Sequence, residues 1–182
     1  MDNFWTTKIF TKNGFVKENI LDGADALDVG CGPRKLPGAT GMDVRSLPGV
    51  DVIHDADKFP WPFSENTFDL VFFNQSLEHV QSVPKTLEEA SRILKPGGRV
   101  VIQVPYFRSI DAFIDPTHAH FFTSRTLDFI PDFKFKILGF WYAWPQKSGN
   151  PLVRLFKGFI HRFPDFYDAH LSKIISVECL SW

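Results

Sequence analysis

Residues 26–33 read ALDVGCGP, a short apolar run that breaks into a glycine turn. The run has the length and composition of a strand buried on both faces of a parallel sheet. Gly30 and Gly32 let the backbone turn sharply and approach a ligand without a Cβ atom in the way. A glycine turn at the carboxyl edge of such a sheet is typical of nucleotide-binding loops, although taken alone it also fits a plain tight turn.

Further apolar runs, separated by glycine or proline, predict the rest of a sheet: residues 41–44, 50–55, 68–75 and 99–105, with residues 133–144 and 173–182 as a closing pair of strands. Residues 82–98 predict a crossover helix, in which Ser82 caps the first turn and Pro96-Gly97-Gly98 stops the helix. Glu88 and Glu89 favour its positive N-terminal end. The pattern predicts an α/β fold with a Rossmann-like, doubly wound, mostly parallel seven-stranded sheet.

Acidic residues follow the predicted strands in order. Asp43 ends the second strand, where a carboxylate can accept hydrogen bonds from both hydroxyls of a ribose. Asp55 ends the third strand, where it could hold the amino group of an adenine. Each acid taken singly also fits a solvated turn or a helix cap, but the ordered set predicts that three strand ends line one cleft.

The chain from Ala26 to Pro105 resembles the class I S-adenosylmethionine (SAM)-dependent methyltransferase superfamily, in the subgroup of methyltransferase type 11 and ubiquinone-biosynthesis-type enzymes. The matching segments are LDVGCG, GMD, HDADKFPWPFSENTFDLVFFNQSLEHV and ILKPGGRVVIQVP. The resemblance implies SAM as cofactor and methyl transfer to a small or medium acceptor, more readily at oxygen than at carbon or nitrogen.

The resemblance also implies a cofactor site. It puts Gly30 and Gly32 beside the methionine part of SAM, Asp43 on the ribose, Asp55 with the Ala56 backbone at the adenine, and Asn74 at the sulfonium end. The full set of expected cofactor-binding residues is Asp28, Gly30, Cys31, Gly32, Asp43, Val44, Asp55, Ala56 and Asn74.

The chain departs from the family pattern in the glycine loop. Arg34 replaces the usual third glycine, and ten residues between Gly32 and Asp43 are too few for the usual full helix. An NAD-dependent oxidoreductase on the same fold is disfavoured, because its fingerprint needs GxGxxG opening a helix and an acid about 20 residues on. A non-catalytic SAM-binding or regulatory subunit is the other alternative.

Two histidines are candidates for taking a proton from the acceptor: His79, just after the fourth strand, and His118, in the segment DPTHAHFF after the fifth. That segment resembles the part of ubiquinone-type enzymes that lies over the acceptor pocket. A packing role is slightly favoured for His79, and a functional role for His118.

A metal site is an alternative interpretation, because small-RNA 2′-O-methyltransferases bind a divalent ion through Glu, Glu-His and a later His. This chain offers Glu78, His79 and His118, but Gln75 stands in place of the first Glu. Since loss of one anionic ligand weakens a hard-cation site, the sequence predicts no metal.

The whole chain predicts a single domain over residues 1–182, with an N-terminal helical cap at 1–24, the SAM-binding core at 25–105, and the acceptor pocket and closing strands at 106–182. A net charge of −1, from 20 basic and 21 acidic residues, gives no reason to expect DNA or RNA as a partner. With two cysteines and no apolar run near 20 residues, we expect a cytoplasmic protein with no transmembrane segment. Residues 151–163 predict a helix with one apolar face, which fits a packed helix, a lid or peripheral membrane contact.

Overall fold

The computed structural model describes residues 6–11, 14–19, 23–129, 135, 137, 141–143, 151–172 and 179–181. The strands are β1 (Thr6–Thr11), β2 (Gly14–Asn19), β3 (Ala26–Val29), β4 (Thr40–Asp43), β5 (Val52–Ile53), β6 (Phe68–Asn74), β7 (Leu94–Pro105), β8 (Trp141–Ala143) and β9 (Cys179–Ser181). The α-helices are α1 (Val83–Ile93), α2 (Asp111–Ile114), α3 (Pro151–Arg162) and α4 (Pro164–Phe166).

The main sheet has seven strands in the order β5-β4-β3-β6-β7-β9-β8. The first five are parallel, and β9 is antiparallel to both β7 and β8. This confirms the predicted α/β sheet, including its closing pair of strands. The strand order reverses at β3, which lies between β4 and β6. In open α/β sheets ligands bind at such a switch point, outside the carboxyl ends of the strands.

Helix α1 connects β6 to β7 and covers one face of the sheet. Its N-cap is Ser82, whose hydroxyl accepts a hydrogen bond from the backbone N–H of Lys85 at 3.5 Å. The residues that the helix buries are Val83, Thr86, Leu87, Glu89, Ala90 and Ile93. The interpretation of Glu89 as a favourable charge at the helix start is wrong, because its carboxylate is buried and bonded within the protein.

The segment after β3 has no helix, as its length predicts. Residues 30–39 form successive turns, and the buried side chains of Leu36 and Ala39 pack with Ala26, Leu70 and Phe72. These few residues take the place of a helix on this face of the sheet. A much larger apolar cluster, which includes Trp61, fills the side where α1 packs.

The expected N-terminal helical cap at 1–24 is wrong for the residues described there. Strands β1 and β2 form an antiparallel pair in which Ile9 faces Val16 and Phe10 faces Phe15. The sequence signal for this hairpin is Asn13-Gly14, between two segments with β-branched and aromatic residues. The expected boundaries of a single domain over 1–182 stay a prediction.

The C-terminal helical segment packs on the core through only part of its apolar surface. Ile160 and Tyr167 are buried in the main cluster and Phe156 packs against it, whereas Leu155 and Phe159 are exposed. The single apolar face predicted for residues 151–163 is therefore divided between core and surface. No helix in the described part of the chain is long and apolar enough to span a membrane.

Candidate functional site

The glycine loop, residues 30–36, lies at the switch point of the sheet. Gly30 has φ +68°, and a Cβ atom there would lie 2.6 Å from the Cβ of Ser76. Only glycine therefore fits between the loop and the chain that leaves β6. Gly32 has φ +54°, and a Cβ atom there would meet nothing within 4 Å, so its Cα faces open space. A ligand can approach the backbone at Gly32.

Asp43 ends β4 and holds the glycine loop. Its Oδ2 accepts a hydrogen bond from the Gly32 backbone N–H at 2.9 Å, and its Oδ1 accepts one from the Arg45 backbone N–H at 2.9 Å. Burial favours a raised pKa for Asp43, but these hydrogen bonds and the Arg45 guanidinium outweigh it and lower the pKa. Oδ1 also accepts from the exposed Arg45 Nε at 3.4 Å, so one lone pair stays open on Oδ2 and a second opens on Oδ1 if a hydroxyl group displaces the Arg45 side chain.

Asp28 and Cys31 lie beneath the loop. Asp28 is buried, and its Oδ2 accepts a hydrogen bond from the Leu36 backbone N–H at 2.7 Å. Burial raises the pKa of Asp28 to about 6 and that of the Cys31 thiol to about 11. The Cys31 sulfur packs against Gly41. Both side chains therefore shape the loop from below, and any ligand contact by Cys31 comes from its backbone.

The third strand end forms one wall of the cleft. Asp55 Oδ1 accepts a hydrogen bond from the Asp57 backbone N–H at 3.1 Å, and the Ala56 carbonyl accepts one from the Trp61 indole at 3.0 Å. Val44 presents a 60% exposed side chain next to Asp43. Asn74 ends β6 and is half-buried, one residue after the pairing of Phe73 with Val29. The expected cofactor residues thus lie along one edge of the sheet.

A buried ion pair, which the sequence analysis missed, fixes the wall after Asp55. Glu89 Oε1 accepts a hydrogen bond from the Trp61 backbone N–H at 2.7 Å and contacts the Arg92 guanidinium at 2.6 Å. Arg92 also donates to the Phe63 carbonyl at 2.9 Å. The only available signal was Glu89 on the apolar face of α1, about one turn before the helix ends at Ile93.

On the other side of Ser76, the structure brings His79 and His118 together. His79 ends a 3₁₀ helix, Leu77–His79, and the centroids of the two imidazole rings are 4.7 Å apart. The contact depends on the backbone, because the Ala119 N–H donates to the Glu78 carbonyl at 2.8 Å. The two candidate histidines therefore belong to one site. We call Glu78, His79 and His118 the histidine cluster.

Hydrogen bonds assign the tautomers of both imidazoles. His118 Nδ1 lies 2.9 Å from the Ala112 carbonyl oxygen, which can only accept, so Nδ1 carries the proton. The Thr117 hydroxyl donates to Asp115 at 2.6 Å and thus accepts from His79 Nδ1 at 2.9 Å. In the neutral form of each ring the proton is therefore on Nδ1, and Nε2 carries the lone pair. Burial and the neighbouring His118 lower the pKa of His79, which favours its neutral form.

Glu78 completes the cluster from below. Its side chain is 1% exposed, and among the described residues none other than Glu78 itself donates a hydrogen bond to its carboxylate. Its Oε1 lies 3.9 Å from His118 Nε2, beyond hydrogen-bond distance. Burial raises the pKa of Glu78 to about 7.

Residues 8–130 match the family model described as "Methyltransferase domain". The chain belongs to this methyltransferase family. The match covers more than half of the chain and includes both the glycine loop and the histidine cluster, so it confirms the family resemblance seen in the sequence.

Relatives and solved structures agree with this assignment. The chain is 30% identical over 122 residues to a demethylmenaquinone methyltransferase of Staphylococcus epidermidis, which covers 54% of this chain and 50% of the relative. The chain thus spans about half the length of the curated relatives it matches. A SAM-dependent methyltransferase structure from Archaeoglobus fulgidus superimposes with TM-score 0.60 at 19% identity, over 87% of this chain and 85% of that chain. One from Mesorhizobium loti gives 0.56 at 15% identity, over 87% and 90%. These similarities confirm the Rossmann-like methyltransferase fold.

Proposed function

We propose that this methyltransferase binds SAM across the ends of β3, β4 and β6 and transfers its methyl group to an oxygen atom of a small or medium acceptor. The observation that carries the proposal is the edge itself: open backbone at Gly32, an ionised Asp43 and an exposed Val44 lie together at the switch point of the sheet.

The described residues fit the parts of SAM. The open space at Gly32 suits the methionine part, because no Cβ obstructs the backbone there. Asp43 has an open lone pair on Oδ2 for one ribose hydroxyl, the second hydroxyl can replace the exposed Arg45 side chain at Oδ1, and the lowered pKa keeps the carboxylate charged at neutral pH. The exposed side chain of Val44 offers an apolar surface for the adenine ring, with the Asp55 and Ala56 segment beside it.

The reaction is a displacement at the methyl carbon. The acceptor oxygen supplies the electron pair of the new C–O bond, the C–S bond breaks, and the sulfur keeps its pair in S-adenosylhomocysteine. The acceptor hydroxyl must also lose a proton. In their neutral forms His118 and His79 both offer the lone pair of Nε2 for it, and His118 is the first candidate for this general base.

The curated relatives are demethylmenaquinone methyltransferases, and demethylmenaquinone is a small molecule, which supports a small-molecule acceptor for this chain. Two alternatives stay open: an NAD-dependent oxidoreductase, and a SAM-binding subunit that does not catalyse methyl transfer. The absence of a helix after the glycine loop weighs against NAD, whose pyrophosphate binds at the N-terminus of that helix. A small-molecule partner without nucleic acid, and a cytoplasmic location, stay predictions.

Binding of three ligands to the wild-type chain tests the proposal. SAM and S-adenosylhomocysteine, at about 100 times their dissociation constants, should each raise the free energy of unfolding by about 2.7 kcal/mol, whereas NAD should leave it unchanged. Stabilisation by NAD alone would overturn the proposal. Formation of S-adenosylhomocysteine with a panel of small hydroxylated acceptors then separates an enzyme from a binding subunit.

A further inference from the structure

The histidine cluster holds a buried carboxylate without a partner among the described residues. A carboxylate taken out of water normally gains hydrogen bonds or an opposite charge, because its desolvation is otherwise not offset. Glu78 is 1% exposed and receives neither from another described residue. The nitrogen of His118 that faces it, Nε2, lies 3.9 Å from its Oε1, too far for a hydrogen bond, and His79 brings a third ligand atom to the same place.

Three side chains that can each donate an electron pair to a cation therefore lie together. One ligand atom from each of Glu78, His79 and His118 can be chosen so that all three lie within 4.8 Å of one another. Ligands held at about 2.1 Å from one ion in tetrahedral geometry are about 3.4 Å apart. The side chains would therefore need to close by at most about 1.4 Å, a change that small χ rotations supply.

The surroundings of both imidazoles are those of metal ligands. A ligating histidine usually donates its other ring N–H to a carbonyl or a carboxylate, which fixes the tautomer and the ring orientation. His118 donates from Nδ1 to the Ala112 carbonyl, and His79 donates to Thr117, which is bonded to the Asp115 carboxylate. In both rings Nε2 is consequently the nitrogen left for a metal ion, and that of His118 lies 3.9 Å from Glu78 Oε1.

We propose that Glu78, His79 and His118 bind a divalent transition-metal ion, with zinc as the best match, at the acceptor side of the cleft. Two imidazoles and one carboxylate suit zinc and its first-row neighbours, whereas magnesium and calcium prefer oxygen ligands alone. Three protein ligands are the number found in catalytic zinc sites, which keep a further position for water or substrate. Gln75, with an exposed side chain, is not needed for this set.

The ion gives the site a second way to activate an acceptor hydroxyl. A bound divalent cation lowers the pKa of an oxygen ligand, so the acceptor could lose its proton without a histidine base. His79 and His118 would then be ligands instead of bases. This role in methyl transfer rests on the function proposed above, but binding of the metal does not.

Metal titration of untagged protein, stripped with a chelator and dialysed, tests the site. We expect one equivalent of Zn²⁺ to bind in calorimetry, one equivalent of Co²⁺ to give a visible spectrum of four- or five-coordination, and Mg²⁺ not to compete. Glu78→Gln and His118→Asn should each weaken Zn²⁺ binding by at least about 100-fold, because even an outer partner typically contributes about 10–100-fold. The matched control is His120→Asn, whose imidazole bonds to the Val80 carbonyl outside the cluster.

A third variant leaves the ligands intact. Thr117→Val removes the outer partner of His79 and should weaken Zn²⁺ binding by about 10–100-fold. The proposal is overturned if the wild type binds no stoichiometric Zn²⁺, or if the cluster variants bind it as tightly as the His120 control does.

S-adenosylhomocysteine binding, measured in parallel, keeps the two proposals apart. Variants that bind it normally are folded, so any loss of Zn²⁺ is local. If the wild type binds Zn²⁺ but not S-adenosylhomocysteine, only the proposed function is overturned. If it binds S-adenosylhomocysteine but not Zn²⁺, only the metal site is overturned.

Discussion

Two carboxylates on the same cleft are built in opposite ways. Asp43 is 5% exposed and accepts hydrogen bonds from two backbone N–H groups and from the Arg45 side chain. Glu78 is 1% exposed and accepts none from another described residue. The pKa of Asp43 is lowered by its donors, whereas burial raises the pKa of Glu78 to about 7.

The difference separates two tasks. The hydrogen bonds at Asp43 fix a negative charge and the loop around it before any ligand arrives, which is the preorganisation that binding of a ribose requires. Burial holds the pKa of Glu78 at about 7, and the imidazoles of the histidine cluster lie beside it. That side of the cleft is suited to receiving a proton or a cation. The link between them is Ser76, which touches Gly30 and leads into the helix that carries Glu78.

The largest expected effect is on turnover. His118→Asn removes the Nε2 that faces Glu78, and loss of a general base typically lowers the rate by about 10²–10⁴-fold. S-adenosylhomocysteine affinity should stay unchanged, because the proposed binding residues for that ligand are Asp43 and the glycine loop. The measurement is turnover with an acceptor found by screening, beside calorimetry on the same preparation.

His120→Asn is the control for that variant, because it removes a neighbouring imidazole outside the histidine cluster. It should keep full turnover. If His118→Asn is folded, binds S-adenosylhomocysteine and turns over like the wild type, then the histidine cluster has no part in catalysis and the contrast with Asp43 is only structural.

The second expected effect is on stability against pH. Below about pH 4.5 Glu78 is protonated in both states. Between pH 4.5 and about 7 the unfolded chain releases this proton and the folded chain keeps it, so the free energy of unfolding falls as pH rises. The total loss is about 3 kcal/mol in metal-free protein. Glu78→Gln has no carboxyl group to titrate and lacks this loss. Denaturation with a chelator present should therefore show its free energy of unfolding rising by about 3 kcal/mol relative to that of the wild type between pH 4 and 8. A gap that does not change with pH would show that Glu78 is solvated.

The third effect is on the cofactor side. Asp43→Asn replaces a charged acceptor by a neutral amide, and charge-assisted hydrogen bonds are about twice as strong as neutral ones. We expect S-adenosylhomocysteine affinity to fall by about 10- to 100-fold in calorimetry. Asp69→Asn is the matched control, since Asp69 accepts a backbone hydrogen bond from Asp25 at the amino ends of β3 and β6. If both variants bind S-adenosylhomocysteine with equal affinity, Asp43 does not bind the ribose.

The cofactor side could be predicted from sequence because its order is local. Strand, glycine turn and strand-end acid follow within residues 26–43, and parallel strands bring their carboxyl ends to one edge. The histidine cluster could not be assembled in the same way. Glu78 and His118 are distant in the chain, and they meet because Ala119 bonds to the backbone of Glu78. Both histidines were identified singly, but nothing in the sequence shows that Glu78 lacks a partner.

The errors of the sequence interpretation, at Glu89 and in the N-terminal segment, also arise from contacts that a local pattern does not show. A carboxylate near the start of a helix fits its dipole, but the Trp61 N–H bonds to Glu89 from outside the helix, and Arg92 of the same helix pairs with it. In the N-terminal segment, hairpin pairing of residues 6–19 replaced the expected helix. In each case a contact between distant or paired segments outweighed a local preference.

The smallest expected effect concerns space on the cofactor side instead of charge. Gly32 and Gly38 both have left-handed φ values, +54° and +83°, and a Cβ atom at either would meet nothing within 4 Å. Substitution by alanine should therefore cost each variant about 1 kcal/mol of the free energy of unfolding, from backbone strain alone. The two glycines differ in location. Gly32 is on the glycine loop at the carboxyl ends of the strands, whereas Gly38 precedes the amino end of β4. An added methyl group in a close contact typically costs about 1–3 kcal/mol, so Gly32→Ala alone should weaken S-adenosylhomocysteine at least about fivefold. Denaturation and calorimetry on both variants measure the two quantities separately. If the variants lose equal stability and both bind the ligand as the wild type does, the open space at Gly32 is not where the cofactor lies, and the cofactor side of the comparison rests on Asp43 alone.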